Sequence, residues 1–375
     1  MLSSSSTTDA AATSLDAVDT PAVVIDADVV ERNVERMAAL SRDHGIALWP
    51  HAKSHKIPEL ALRQMEAGAA GITCQKLGEA EVMADAGLPD ILVSYPIVGP
   101  LKVERLLALA ERARITTVVD SLRAAAALGR AAAARGLDLD TLLEVDVGYR
   151  RCGVRPEDAP GIAEQLARTA GLRLVGLLAY EGHIYDRAGA QPAERRARAA
   201  YDMLGAVADG VRRAGIAVER VSVGATATAA LAARHGAITE LRAGSYVFND
   251  RTQVAMGAAT PADCALTVLT TVVSTAAGGH VVIDAGSKAL TFTGLAGGHG
   301  YGSVAGRPDL VVKRLSDEHG MIPVPPRARA PQVGDRLRVV PNAHAAVIDN
   351  FSDAVAVRDG RPTGCLAVAA RGRMR

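Results

Sequence analysis

The sequence predicts an α/β fold: a (β/α)8 TIM-type barrel followed by a smaller C-terminal β domain. Apolar strand-like runs near Ala47, Ile72, Ile91, Thr117, Leu143, Leu177, Val221 and Ile238 alternate with Ala/Leu/Arg-patterned helical stretches. Eight such units with continuous apolar strands close most naturally into a helix-covered parallel barrel. From about Thr252 the pattern changes to β-like runs at 265–273, 280–283, 336–340 and 354–357, separated by Gly, Pro and Asp turns. An open doubly wound sheet is the rival. It usually displays a Gly-rich loop after its first strand, and none follows Ala47.

In chain order, residues 1–18 read as a disordered tail, rich in Ser, Thr and Ala and without the basic start and apolar block of a secretory signal. Residues 21–26 form a strand, and 27–42 carry Val30, Val34, Met37, Ala38 and Leu40 at helical spacing. That strand precedes the first barrel helix and is a candidate to pair back into the β domain, which would make that domain discontinuous. The expected boundaries are 19–251 for the barrel and 252–375 for the β domain.

At 375 residues and 49% hydrophobic content the chain can bury one large core and a second, smaller one. A net charge of +1 and 3% aromatics give no electrostatic footprint for nucleic acid or a membrane surface. No run approaches the eighteen or so apolar residues of a membrane helix. Cys74, Cys152, Cys264 and Cys365 are far apart with no C-x-x-C pair, which reads as reduced and cytoplasmic.

The segment L-W-P-H-A-K-S-H-K (48–56) concentrates two of the six lysines and two of the nine histidines. It follows a short strand. If that strand stays extended, Trp49, His51, Lys53 and His55 share one face. A lysine near pKa 10.4 is a solvated cation, whereas burial and cationic neighbours lower that value and free a nucleophile able to hold a carbonyl cofactor as an imine. A basic patch at the start of a loop is the competing reading. Barrels bind at the carboxyl ends of their strands, and polar residues collect there. Strand five ends in E-V-D-V-G-Y-R-R-C-G (144–153), strand six in A-Y-E-G-H-I-Y (179–185), strand seven in S-V-G-A-T-A-T (222–228) and strand eight in R-A-G-S-Y (242–246). An arginine, a ring with an imidazole, and two small-residue loops able to close on a phosphate match the needs of pyridoxal 5'-phosphate. Lys288 is the competing imine lysine, but it lies beyond the barrel.

The segments P-H-A-K-S-H-K, I-T-C-Q-K-L-G-E-A-E-V-M-A-D-A-G, E-V-D-V-G-Y-R-R-C-G-V, A-Y-E-G-H, D-A-G-S-K-A and G-G-H-G-Y-G resemble the D-threonine aldolase and D-serine dehydratase family of fold-type III pyridoxal phosphate enzymes. These have an alanine racemase-like N-terminal barrel. The likeness runs from about Asp19 to Arg373. It implies Lys53 as the internal aldimine lysine, Arg151 near the cofactor's phenolic oxygen, and Tyr180 and His183 beside its ring. It implies phosphate binding by Gly224, Thr226, Gly244, Ser245 and Tyr246, with His51 and Gln75 as further pocket residues. The catalytic set is then Lys53, His183 and His344.

Two departures stand out. The family's arginine before Pro-His is Trp49 here. Its divalent-metal motif aligns His344 with one ligand after a one-residue shift and puts Ala346, which has no donor atom, at the other. The implied activity is retro-aldol cleavage of a D-3-hydroxy amino acid to glycine and an aldehyde. D-serine dehydratase-type β-elimination is the runner-up, followed by racemisation or transamination, and a non-catalytic pyridoxal phosphate carrier. The β domain of a homodimer partner would commonly complete such a site.

Overall fold

The computed structural model of the chain describes residues 14–186, 192–295 and 298–375. Contacts group the chain into two units, Val34–Ser245 with Gly372–Arg375, and Met1–Asn33 with Tyr246–Arg371. Residues 1–13 of the expected tail lie outside the described residues. Within them, Leu15–Ala17 form a single 3-10 turn capped by the Ser14 side chain.

Strand β1 (Ala22–Asp26) buries Val23, Val24 and Ile25. Helix α1 (Ala27–His44) follows, with the Asp26 carboxylate accepting the Val29 N–H at 3.1 Å. The barrel strands are β2 (Ala47–Leu48), β3 (Ile72–Cys74), β4 (Asp90–Val93), β5 (Arg114–Val119), β6 (Leu139–Glu144), β7 (Leu172–Leu178), β8 (Arg220–Val223) and β9 (Glu240–Leu241). They pair in parallel in the order β2-β9-β8-β7-β6-β5-β4-β3. The ends of that order meet where His51 bridges Thr73 and the Thr73 N–H donates to the Pro50 carbonyl at 2.8 Å. The ring therefore closes beside the lysine segment.

Helices α2 (Pro58–Glu66), α3 (Leu77–Asp85), α4 (Pro100–Ala110), α5 (Leu122–Ala134), α6 (Ala159–Ala167), α7 (Ala193–Arg213) and α8 (Ala229–Ala233) fill the connections. Proline stands in the first turn of α2, α4 and α6, where a missing N–H breaks no intrahelical bond. Spacing selects the buried face: in α4, Val103, Leu106, Leu107 and Leu109 are inward while Leu101 stays 81% exposed.

Inside this unit, Trp49, Leu92, Val118, Leu142, Val175 and Leu178 pack together. Beside them runs a polar column. Arg220 donates to Glu240 at 2.7 Å and to Thr116 at 3.0 Å, Ser222 donates to Glu240, and Arg242 donates to Ser222 at 2.6 Å. The Arg220 guanidinium lies 4.4 Å over the Trp49 ring, so the tryptophan that departs from the family pattern supports a partly buried cation.

The other unit is a ten-stranded sheet. Its strands after β1 are β10 (Leu266–Ser274), β11 (His280–Ile283), β12 (Gly302–Val304), β13 (Arg307–Val311), β14 (Arg314–Leu315), β15 (Gly320–Pro323), β16 (Arg336–Pro341), β17 (Asp353–Arg358) and β18 (Arg361–Ala367). Short helices α9 (Arg251–Ala255), α10 (Ser287–Leu290) and α11 (His344–Ile348) punctuate it. Strand β1 lies inside this sheet, antiparallel to β10 and parallel to β17, so the amino-terminal strand does join the C-terminal sheet. Alternation explains the choice: Val24 meets Leu269 and Val357 in one apolar cluster. Asp284 of the D-A-G-S-K segment accepts from Thr20 at 2.6 Å, Thr270 at 2.5 Å and the Thr271 N–H at 3.0 Å, a structural anchor.

Candidate active site

The site forms at the carboxyl ends of the barrel strands. The lysine segment does not stay extended: β2 ends at Leu48 and Ala52–Ser54 turn as a 3-10 helix. That corrects the expected shared face. His51 stays with Lys53, whereas His55 turns away, its Nδ1 accepting the Ile57 N–H at 3.1 Å. Lys56 is buried and paired with Glu79 at 3.4 Å.

Lys53 is the lysine of the pocket. Its Nζ donates to Gln75 Oε1 at 3.4 Å and sits 5.9 Å from the Tyr180 ring centre. Burial first, and the Arg151 charge second, lower its pKa to about 8, with Glu79 pulling the other way. His51 Nδ1 faces the Lys53 N–H at 3.4 Å and its Nε2 faces Gln75 Oε1 at 3.1 Å, a pattern that assigns the neutral Nε2–H tautomer. Burial, then the Lys53 charge, holds the imidazole pKa well below its ordinary value. Gln75 is fixed in turn, its amide donating to the Ser94 carbonyl at 3.1 Å and its backbone N–H to Glu79 at 2.8 Å.

Across the pocket, Arg151 lies 4.9 Å over Tyr180 and 5.4 Å over Tyr149, and the two rings meet edge to face at 5.4 Å. Burial raises the Tyr180 phenol, which keeps it a protonated donor. Gly224, Thr226, Gly244 and Ser245 also line the pocket. A Cβ at Gly244 would stand 2.4 Å from Ser54 Oγ and 2.8 Å from the His51 carbonyl, so only glycine lets that loop approach the lysine turn. At Gly224 a Cβ would meet Arg242 Cβ at 2.9 Å.

Three expected residues do not line the pocket. His183 follows β7 in a 3-10 turn near Gly148, and its buried Nδ1 has no hydrogen-bond partner among the described residues. Tyr246 is buried and belongs with the β-sheet unit. His344 belongs to that unit too, its Nδ1 held by Asp250 at 2.8 Å and its Nε2 buried without a partner. Lys288, the competing lysine, is exposed and paired with Glu318.

Several lining residues were not singled out from sequence: Arg242, Glu144, Ser94, Ser54 and Tyr185. Arg242 is buried, donating to Ser222 at 2.6 Å and to the Ala179 carbonyl at 2.7 Å. Glu144 ends β6, Ser94 follows β4 and Arg242 follows β9. Reading the last residue of every strand together with the one after it would have found all three.

The pocket offers a nucleophilic amine, aromatic faces, a guanidinium and loops of small and hydroxyl residues, a donor set that fits pyridoxal phosphate. Among the described residues no group of three or more His, Cys, Asp or Glu side chains is arranged to hold an ion.

A barrel with an activated lysine at its mouth, joined to a β-sheet unit, defines an alanine racemase-like cofactor enzyme. The family model "Alanine racemase, N-terminal domain" matches residues 25–252, and "Putative serine dehydratase domain" matches 265–357. The chain is 38% identical to a D-threonine aldolase of Arthrobacter sp over 95% of its own length and 93% of the relative's. It is 35% identical to a D-threo-3-hydroxyaspartate dehydratase of Delftia sp. (strain HT23) over 89% and 93%. The crystal structure of D-threonine aldolase from Filomicrobium marinum superposes with a TM-score of 0.88 at 34% identity, covering 96% of this chain and 98% of that one. The chain belongs to the D-threonine aldolase and D-serine dehydratase-like family and is a pyridoxal phosphate-dependent lyase.

Proposed function

We propose that the chain cleaves a D-3-hydroxy amino acid by a retro-aldol reaction, releasing glycine and an aldehyde, with pyridoxal phosphate held on Lys53. The observation that carries this reading is the Lys53 amine, lowered to about 8 in a pocket lined by Gly224, Thr226, Gly244 and Ser245. The similarity to a D-threonine aldolase over nearly the whole chain supports the same reading.

Pyridoxal phosphate, when bound, supplies an electron sink that weakens the bonds at an amino acid's Cα. The chain's residues supply the rest. Lys53 provides the amine that takes up the aldehyde, and Arg151 provides a permanent cation for an anionic oxygen. Neutral His51 and Gln75 hold the lysine turn without adding charge. Backbone N–H groups and hydroxyls of the loops after β8 and β9, at Gly224, Thr226, Gly244 and Ser245, would hold the phosphate.

Cleavage needs a base for the β-hydroxyl proton. His183 is one candidate, its Nδ1 buried and unpartnered. The family resemblance offers His344 as the other, and among the described residues Asp250 accepts from its Nδ1 at 2.8 Å. The residues present do not fit the family's metal motif, because Ala346 contributes no donor atom and leaves His344 as a lone ligand.

β-Elimination of water from D-serine, with hydrolysis of the resulting imine to pyruvate and ammonia, is the second reading, favoured by the dehydratase relative and the serine dehydratase match over the β unit. The unpaired cysteines support a reducing, cytoplasmic setting, and the family resemblance supports a homodimer, which light scattering would test. No described helix is long and apolar enough to cross a membrane.

The deciding experiment gives cofactor-loaded protein D-threonine and D-serine separately. Glycine with acetaldehyde supports the aldolase reading. Pyruvate from D-serine without glycine from D-threonine transfers the assignment to elimination, and no product from either overturns both.

A further inference from the structure

We propose that Glu144 is a positioning residue of the pocket, a buried strand-end carboxylate that aims the Arg151 guanidinium inward. The inference rests on the reading of this pocket as the cofactor site and assigns it a residue that reading does not use.

Rigidity comes first. Glu144 is the last residue of β6, in register with Leu178 of β7, and its carbonyl accepts the Val154 N–H at 2.9 Å. Its side chain is 6% exposed and lines the pocket. Arg151 is the opposite case. It sits on the loop that leaves β6, with a 44% exposed side chain resting on two tyrosine faces. Ring faces attract a guanidinium without fixing its rotation about the stack, whereas a carboxylate to one side biases it by charge in one direction. Among the described residues, Glu144 is the one carboxylate within ion-pair reach of Arg151, Oε1 to Nη2 at 4.0 Å. The strand end therefore sets where the loop arginine points.

The charged groups acting on Glu144 are Arg151, Arg242, Asp120 and Asp146, and the Cys152 thiol is within its field. Burial, offset by the two arginines, pushes its carboxyl up to about 7. Above that value the carboxylate holds Arg151. Below it the pair relaxes and the pocket gains a positive charge. A glutamine at this position would keep the shape and lose the charge.

The test compares wild type, Glu144→Gln and Glu144→Asp as holoenzyme from pH 5.5 to 9.5, following the bound cofactor's absorbance and kcat/KM for D-threonine. The expected wild-type profiles contain a component with midpoint near 7. Glu144→Gln is expected to lose that component and to weaken cofactor binding about three- to fivefold, as for a half-exposed charge pair. Glu144→Asp is expected to retain part of both. On an Arg151→Gln background, Glu144→Gln is expected to add nothing.

Melting of the apoprotein gives an arm that needs no cofactor. A carboxyl raised above its unfolded value contributes stability that is present below about 4.5 and lost as pH rises through about 7. The wild type should therefore lose stability over that window relative to Glu144→Gln, and Arg151→Gln should widen the loss. A Glu144→Gln protein that keeps the component near 7, with cofactor affinity within twofold, overturns the proposal. Wild-type protein that melts as described yet never acquires cofactor absorbance counts against the functional reading alone.

Discussion

A lysine becomes a useful nucleophile only if its surroundings make the ammonium form costly, and Lys53 shows how few residues that takes. Burial does most of it and the Arg151 charge adds to it. At pH 7 an amine with pKa about 8 is neutral in roughly one molecule in ten, against fewer than about one in a thousand at the reference value. Capture of pyridoxal phosphate by apoprotein should then quicken about tenfold per pH unit up to pH 8 and level off above it. Stopped-flow absorbance measures this directly, and a rate still climbing at pH 10 would show that burial does not activate the amine. Lys53→Ala should bind the cofactor without covalent absorbance and lose cleavage by at least about a thousandfold, since no other described lysine lines the pocket. The lysine could be picked out from sequence because two histidines and two lysines crowd one short segment. What could not be read is which carboxylate of segment 144–153 faces Arg151, since the path of the loop decides between Glu144 and Asp146.

Among the elements, the legible ones are those whose period is long enough to see. The strands β5, β6 and β7 and the amphipathic helices between them announce themselves by continuous apolar runs and 3.6-residue spacing. Strands β2 and β9 are two residues each, so the lysine turn after β2 could not be told from more strand. The 3-10 turn at Ala52–Ser54 wins because its bonds are local: the His55 and Lys56 N–H groups both reach the Ala52 carbonyl, at 3.0 and 2.7 Å. The loop after β9 is held against that turn by a contact only glycine permits. Gly244→Ala, with its methyl 2.4 Å from Ser54 Oγ, should weaken cofactor affinity at least about tenfold while costing on the order of 1–3 kcal/mol of stability. Equilibrium dialysis and chemical denaturation would separate the two effects, and unchanged affinity would show that this loop is no part of the cradle. In α11, residues two apart on a helix face different ways, so His344 and position 346 do not converge. Chelator treatment should leave cleavage within about twofold, and elemental analysis should find no stoichiometric divalent ion. A chelator-sensitive, metal-restored activity would reverse this.

At the level of the whole molecule, the chain order and the order in space disagree at one strand, and sequence could only suggest it. Strand β1 precedes the barrel yet lies in the interior of the other unit's sheet, where it satisfies β10 on one side and β17 on the other. No periodicity encodes a partner more than two hundred residues away. What can be read is the composition, since Val23, Val24 and Ile25 are too apolar for an edge. Each is buried to 1% exposure or less. At about 1.5–3 kcal/mol for burying each such side chain, removing the strand forfeits at least about 5 kcal/mol, comparable to the net stability of an entire domain. It also opens two ladder edges to other chains. A chain beginning at Ala27 should therefore be recovered as aggregate. The milder Val24→Asp variant isolates the cause, because a lone carboxylate cannot be paired in the cluster with Leu269 and Val357. Amide exchange in that variant should lose protection across β10, β16 and β17 first, while β5, β6 and β7 keep theirs. Protection lost equally in both units would mean that the barrel's stability also depends on its amino-terminal strand.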